Sequence, residues 1–488
     1  MAKTNGLREP LPQPALFPFG PGGIDELFDA GLRDHPGRVA LIDGDRTWTW
    51  EQLHDAVASA AAPLPIGEIQ LAPQGNSAEL IIAALAIMYA DGIWATNAGE
   101  KSPDVNALHD EFLVEPGQQR PTTRFNLPAA IAYTSGTTGS PKAVVHSQQG
   151  LLLPGLVSVE VEPPTDGERI GTPLDLTIAN VFVLGPLSAL LRGSTFVVMK
   201  KPYVTGLAED IAAHGITRLF AVPTMAHDLA ALAAVDPTVV AQLSSLDRVI
   251  LGGSGAEPEM ITNFTERFGV RPTLSYGLSE APTGVARESL DDPIGSRRGF
   301  PLPHVEVIVV DPESGGERPI GSVGEVCILP ARSGPWAGVW TGALGYLFEP
   351  DRTDAAFRGE LLHTGDTGTI DRDGAVSIMG RLGNLIVRGA KNIDPVAIEA
   401  HAKSLAGVAD AAAVGVPDDR LGEIVGLAVV VDGEWDSLDL AEAALTVEER
   451  TSASIDAVVI VDELPRNAMG KVDRAALRAR FTPDTHLP

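Results

Sequence analysis

The segment Ile131-Ala-Tyr-Thr-Ser-Gly-Thr-Thr-Gly-Ser-Pro-Lys142 gathers the hydroxyls of Thr134, Ser135, Thr137 and Thr138, the glycines Gly136 and Gly139, and the cation of Lys142 just after a β-rich apolar run. Glycines let backbone N–H groups approach phosphate oxygens, hydroxyls add donors and the ammonium adds charge, so the combination suits a polyphosphate. The spacing is not the Walker pattern, in which a lysine directly follows the closing glycine and a Ser or Thr follows the lysine. The usual nucleotide-hydrolase arrangement is therefore not indicated. Gly, Ser and Thr also build ordinary surface turns, so composition alone leaves that reading open.

The mean field of the chain works against such a ligand. Its 36 Lys and Arg stand against 64 Asp and Glu, a formal charge of -28, which repels phosphate backbones and anionic lipid headgroups. Nucleic acid and membrane surfaces are poor partners on this count, and an anionic ligand must rely on a few cations gathered locally. The single cysteine, Cys327, can form neither an internal disulfide nor a Cys-based metal cluster. A reducing, cytoplasmic compartment is expected. The proline-broken first residues lack the apolar stretch of a secretory signal. The longest strongly apolar run, Leu80 to Ala90, falls short of the roughly 20 residues that a membrane-spanning helix needs.

Further motifs follow along the chain: Leu251-Gly-Gly-Ser-Gly-Ala256, Tyr276-Gly-Leu-Ser-Glu280, His363-Thr-Gly-Asp366, Gly380-Arg381 and Leu464-Pro-Arg-Asn-Ala-Met-Gly-Lys471. Together with the loop at 131–142 they resemble, in the same order, the signatures of the adenylate-forming superfamily, which holds acyl- and aryl-CoA synthetases, adenylation domains and luciferases. The resemblance covers nearly the whole chain. It implies that Thr134, Ser135, Gly136, Thr137, Thr138, Gly139 and Lys142 bind the phosphates of ATP. It further implies that Ser275, Tyr276, Gly277 and Ser279 border the nucleotide, with Tyr276 stacked on adenine and Ser279 replacing the commoner Thr. Glu280 would hold magnesium, Asp366 would bind the ribose hydroxyls with Arg381 assisting, and the turn Gly253, Ser254, Gly255 would lie beside adenine and the acyl pocket. Lys471 corresponds to the adenylation lysine. Read without the resemblance, Asp366 and Arg381 also suit an ion pair at a domain junction, Tyr276 a core strand end, and Lys471 a solvated surface lysine. His363 is assigned no chemistry.

The implied reaction joins a carboxylic acid to AMP and releases pyrophosphate, with CoA as the probable acceptor and a carrier-protein thiol or partner ligase as the alternative. Attack of one anion on another piles charge onto the equatorial oxygens of the α-phosphate, and Lys471 with magnesium on Glu280 would offset it. Preorganised contacts of this kind contribute about 3 to 4 kcal/mol each. Three features depart from the family pattern. Gly383 stands where relatives commonly place the Asp or Lys on which the small domain pivots, and glycine has the widest backbone freedom. Gly389-Ala390 stands where many CoA-using relatives carry two glycines or Arg-Gly-Glu, the second glycine bordering the pantetheine tunnel in some of them, and a methyl group there would be expected to narrow the passage. Asp175 and Leu176 occupy the neighbourhood where relatives often place a His or aromatic residue near the acyl pocket, so the acid's identity stays open.

Two rivals come from other classes. Gly252-Gly-Ser-Gly-Ala256 nearly spells a hydrolase nucleophile elbow, but the closing glycine is missing. A non-catalytic nucleotide- or adenylate-binding pseudoenzyme is opposed by Lys142, Glu280, Asp366 and Lys471. No Gly-x-Gly-x-x-Gly occurs, which excludes a dinucleotide-binding dehydrogenase.

The elements that must position these residues follow from periodicity. Short apolar runs at Ala129 to Tyr133, Thr195 to Met199, Arg218 to Val222, Arg248 to Leu251 and Pro272 to Tyr276 alternate with helical patterns at Ala179 to Leu191, Thr224 to Ala234 and Pro258 to Phe268. This predicts a parallel α/β sheet with crossover helices. From Val305 to Leu329 strand-like stretches flank a turn-rich segment, which predicts a small barrel-like β subdomain. Beyond Gly380, Pro395 to Ser404 and Ala441 to Arg450 read as helices, and Val408 to Val416 and Glu423 to Val431 as strands. The expected organisation is a large adenylation domain over 1–380 and a small mobile α+β lid domain over 381–488. Either a monomer or a homodimer is compatible.

Overall fold

The computed structural model describes residues 6–8, 20–95, 127–134, 142–201, 203–253, 255–384, 386–389, 391–393, 395–418, 420–433, 435, 437–451, 453–466 and 472–481. The chain forms two compact units. The first comprises Met1–Ile308, Cys327–His363 and Asp373–Val376, and the second Val309–Val326, Thr364–Arg372 and Ser377–Pro488.

In the first unit the larger sheet runs, neighbour by neighbour, through Gly299–Pro301, Ala281–Glu288, Thr273–Leu278, Arg248–Leu251, Arg218–Ala221, Arg169–Thr172, Thr195–Val198, Val39–Asp43 and Arg46–Thr49. From Thr273–Leu278 to Val39–Asp43 every pair is parallel. The flanking pairs are antiparallel. The predicted α/β class holds for a physical reason: Arg218–Ala221 is buried along its whole length, as strands covered by helices on both faces must be. A second sheet runs Gly345–Tyr346, Lys142–Ser147, Pro128–Thr134, Ile93–Ala95 and Ile69–Leu71. Its first two pairs are antiparallel and its last two parallel.

The helix Ala78–Tyr89 carries the apolar run. Ser77 caps it, its Oγ accepting from Leu80 N at 3.1 Å, and Leu80, Ile81 and Leu85 join a core with Trp94, Ile170, Phe220 and Ile250. Each such burial contributes about 1.5–3 kcal/mol. No helix among the described residues is long and apolar enough to cross a membrane. The predicted helix over 179–191 forms, but not as a uniform spiral: a π turn at Val183–Leu187 separates Ala179–Phe182 from Ser188–Leu191. Pro186 sits inside that turn, and its missing N–H and ring clash are what a regular α-helix cannot absorb. The helix Pro258–Phe268 has Pro258 in its first turn and Gly269 at φ +72° as its left-handed cap, the two punctuation residues that make its ends legible.

In the second unit a sheet runs Lys391–Ile393, Ile386–Arg388, Gly422–Val431 and Val408–Asp418, with Ala457–Ile460 parallel to Gly422–Val431. Alternation sorts its side chains: Val425, Leu427 and Val429 pack with Ile398 and Val447 on one face. Ile424 and Ala428 pack with Leu477 and Phe481 on the other. The helix Ser437–Thr451 begins before the predicted Ala441, because Leu440 also packs on that core. Strands Val305–Val310 and Gly324–Pro330 stand where strand-like stretches are predicted.

Candidate active site

The glycine- and hydroxyl-rich segment is held at both ends by one antiparallel ladder. Pro128–Thr134 and Lys142–Ser147 pair until Thr134 lies opposite Lys142, so the chain leaves and re-enters the sheet at the same point. Ser135, Gly136, Thr137, Thr138 and Gly139 lie outside the described residues, as do Ser254, Ala390 and Lys471.

Lys142, half-buried at the start of its strand, holds its Nζ 5.9 Å from the centroid of the Tyr346 ring. Tyr346 is fixed by strand pairing opposite Val144, and Arg352 places its guanidinium carbon 5.6 Å from the same ring. The Tyr346 hydroxyl donates to Glu280 Oε1 at 2.5 Å. Glu280 itself is pinned through its backbone, its carbonyl accepting from Ala343 N at 2.7 Å. Two residues that the motifs separate by more than a hundred positions are thereby linked through one aromatic ring. Tyr346 carries no local sequence signal; only the long-range pairing reveals it.

Ser275 and Tyr276 face Arg287 and Ala286 across the antiparallel ladder formed by Thr273–Leu278 and Ala281–Glu288. Both are half-buried, Gly277 is exposed, and Ser279 and Glu280 follow at the turn. The Leu251–Ala256 turn leaves the neighbouring strand beside them. A Cβ on Gly252 would come within 3.9 Å of the Ser275 carbonyl. Gly253, at φ +88°, and Gly255 are exposed, so at these two positions the turn presents backbone without a side chain.

Behind Lys142 on the same strand lies His146, fully buried and paired opposite Ala130. Among the described residues neither ring nitrogen has a hydrogen-bond partner. Burial pushes its pKa down to about 4, opposed in part by the nearby Ser279 backbone, which lies outside hydrogen-bond geometry. The ring is therefore neutral near pH 7. Sequence reasoning passed over it, since a histidine in an apolar strand gives no signal of its own.

In the second unit the Thr-Gly-Asp element and its arginine come together. Arg381 Nε lies 2.7 Å from Asp366 Oδ1, with Asp366 buried and Arg381 largely exposed, and Arg381 donates to the Thr364 carbonyl at 3.0 Å. Thr364 Oγ1 in turn donates to the Val326 carbonyl and accepts from Asp366 N. Gly365, between them, has φ +69°, a conformation that suits glycine. Gly383 lies in the short 3-10 turn Leu382–Asn384. Gly389, at φ +62°, donates to the Leu421 carbonyl at 2.6 Å. The segment 467–471 is anchored at its ends, where Arg466 and Val472 form an antiparallel bridge and Asp473 N donates to the Pro465 carbonyl at 2.7 Å.

Known proteins match this arrangement. Residues 96–331 match the AMP-binding enzyme family and residues 397–471 the AMP-binding enzyme C-terminal domain. A medium/long-chain fatty acid–CoA ligase of Mycobacterium tuberculosis is 32% identical over 381 residues, covering 75% of this chain and 64% of the relative. The chain thus spans less than two thirds of that relative's length. A fatty acid–[acyl-carrier-protein] ligase of Mycobacterium marinum is 30% identical over 404 residues, covering 77% of this chain and 73% of the relative. Among solved structures, an amide bond synthetase of Marinactinospora thermotolerans superposes with a TM-score of 0.76 at 26% identity, covering 95% of this chain and 100% of its own. With these matches over both parts of the sequence, and the fold and motifs in agreement, the chain belongs to the AMP-binding enzyme family of the adenylate-forming superfamily.

Proposed function

We propose that this protein activates a carboxylic acid as its acyl-adenylate, using ATP and magnesium and releasing pyrophosphate, and then passes the acyl group to a thiol. The observation that carries the reading is the Lys142–Tyr346–Glu280 chain beside the loop closed by Thr134 and Lys142. Family membership supports it. A hard divalent cation takes carboxylate oxygens, and Glu280, oriented by the hydroxyl of the same Tyr346 ring that Lys142 faces, supplies one; the donor type fits. When bound, magnesium supplies charge neutralisation of the triphosphate.

The chain's own residues would do the rest. Lys142 and the N–H and hydroxyl groups of 134–139 hold phosphate oxygens, while Ser275, Tyr276, Gly277 and Ser279 border the base. Asp366 accepts from the ribose hydroxyls, with Arg381, its Nε 2.7 Å from Oδ1, aiming that carboxylate. The turn at Gly253, Ser254 and Gly255 lets the acid and adenine approach backbone at its two glycines. Lys471 compensates charge at the α-phosphate, brought there by movement of the 381–488 lid about Gly383. A cytoplasmic setting suits this use of ATP.

CoA is the first acceptor by this reading and a carrier-protein thiol the second. The relatives named above differ in just that respect, one acting on CoA, one on an acyl-carrier protein and one forming amide bonds. Gly389-Ala390 is where this chain departs from a two-glycine tunnel. Acid-dependent exchange of labelled pyrophosphate into ATP, screened across aliphatic and aryl acids, tests the first half-reaction; mass analysis with CoA present tests the second. Exchange with at least one acid is expected, and its absence with every acid tested would sink the adenylation reading in favour of a binding protein.

A further inference from the structure

A second charged centre lies elsewhere in the first unit. Arg218 and Arg248 are register partners that open the parallel strands Arg218–Ala221 and Arg248–Leu251. The 251–256 turn leaves the opposite end of these two strands, about 13 Å away at 3.3 Å per residue, and Arg287, the ladder partner of Ser275, reaches the cluster from the antiparallel strand Ala281–Glu288. The guanidinium of Arg218 donates to Glu162 Oε2 at 2.5 Å. Arg287 donates to the same oxygen at 3.2 Å, and Arg248 Nε stands 3.1 Å from Glu162 Oε1, off the hydrogen-bond axis. Three cations thus converge on one carboxylate. Their side chains are 4%, 10% and 13% exposed for Arg218, Arg287 and Arg248, too little for bulk water to screen them.

Arg192, close by, shows what a satisfied buried arginine looks like. It donates to both oxygens of Glu168 at 2.6 and 2.7 Å, to Ser158 Oγ at 2.9 Å and to the carbonyls of Ser158 and Glu162. The three converging arginines differ. Each guanidinium offers a full fork of N–H donors, yet among the described residues the three make only the two hydrogen bonds to Glu162, and the Nε atoms of all three are buried without an acceptor. Glu168 faces both Arg192, at 2.6 Å, and Arg218, at 3.6 Å, so among the described residues of the cluster four arginines stand against the two carboxylates Glu162 and Glu168, which leaves two positive charges uncompensated. The adjoining cleft of about 270 Å³ adds nothing, because its Arg38 and Arg192 are balanced by Asp166 and Glu168. In a chain of net charge -28 a buried surplus of this sign is out of character. Desolvated like charges repel at close range unless an anion joins them.

From these observations we infer that Arg218, Arg248 and Arg287 bind a small tetrahedral dianion, inorganic phosphate or sulfate, beside Glu162. A dianion closes the charge balance, and its oxygens supply the acceptors the forks lack. The burial of the heads selects a bare ion over a phosphate-bearing metabolite. The site uses none of the residues assigned to the nucleotide and does not depend on the adenylation reading.

Thermal unfolding of the full chain, titrated with inorganic phosphate and separately with sulfate against chloride at matched ionic strength, tests it. The midpoint is expected to climb with the logarithm of phosphate or sulfate and not with chloride. Arg248→Gln should weaken the apparent affinity about tenfold or more, and Glu162→Gln, which removes the competing carboxylate, should strengthen it by about tenfold. Lys142→Ala should leave the response in place. A wild-type response no larger than that of chloride would overturn the proposal, since water alone would then serve the arginines. So would equal affinities in wild type and either Arg248→Gln or Glu162→Gln, or a response that vanishes with Lys142→Ala, which would put the ion at the glycine-rich loop.

Discussion

The two ends of the parallel strands in the first unit carry opposite inventories. Where Arg248–Leu251 ends, the chain presents Gly253 and Gly255, exposed and nearly free of contacts. Where that strand and its neighbour begin, it presents buried arginines gathered on Glu162 and Glu168. By charge count alone the arginine end is where a ligand as anionic as ATP should go. The 251–256 turn and the Tyr276–Glu280 motif lie at the other end. Stored cations tied to carboxylates act mainly on the folded state, whereas a phosphate that must react needs close backbone, small residues and single cations that are free to be repositioned.

The sharpest break of this contrast is Glu162→Ala. Deleting the carboxylate strands three guanidiniums in a desolvated place, and removal of one partner of a buried charge group typically costs about 3–5 kcal/mol. Urea unfolding should lose an amount of that order, at the lower end because Glu162 is 30% exposed, while the KM for ATP stays put. Unchanged stability would mean the cluster stores nothing.

At the opposite pole stands Lys471→Ala. It should lower pyrophosphate exchange about 100-fold or more, a loss of about 3 kcal/mol in the transition state, and leave the unfolding midpoint where it was. Lys142→Ala should act in the same direction, chiefly through handling of the outer phosphates. Near wild-type exchange in Lys471→Ala would erase the distinction between reactive and stored cations.

Uncharged buried histidines give a smaller, pH-dependent version of the same division. Burial pushes His146 down to about 4 and His304 down to about 3. In the unfolded chain both titrate near 6.5, so as pH falls below that value the unfolded state takes up protons that the folded state refuses. Stability from this source is complete above about pH 6.5. It falls by about 1.4 kcal/mol per pH unit for each histidine until the folded-state value is reached. Denaturant unfolding across pH 7 to about 4 should show the slope of two protons, and His146→Gln should reduce it by one. A slope unchanged by that substitution would mean His146 is not held neutral.

Much of this was legible before any coordinates. The α/β class, the strand Arg248–Leu251 and the helix Pro258–Phe268 fall where predicted, because short β-rich apolar runs, a proline at a helix start and a glycine at its end are local signals. Membership of the superfamily was legible for a related reason: its motifs are short and contiguous. What escaped was everything made by distant pairing. Tyr346 reaches Glu280 only because Gly345–Tyr346 adds to the Lys142–Ser147 strand. The arginine cluster draws on positions 162, 218, 248 and 287, no two of them within a turn of one another. The π turn at Pro186 shows a milder limit, since periodicity marks the helix but not how it accommodates a proline.

Tyr346→Phe is the finest probe of the contrast, because it removes one hydroxyl and leaves the ring between Lys142 and Arg352. The hydroxyl donates to Glu280 and accounts for one of that carboxylate's fixed orientations. Its loss should leave global stability within about 1 kcal/mol, the ordinary net worth of a single hydrogen bond. If Glu280 is the magnesium ligand, the same change should raise the magnesium concentration needed for half-maximal pyrophosphate exchange about fivefold to tenfold, with a lesser effect on exchange at saturating metal. A purely structural tyrosine would do the reverse, lowering stability or maximal rate with no change in metal requirement. Tyr346→Phe therefore separates an orienting contact at the motif-bearing end from packing, on a residue that no sequence motif marks.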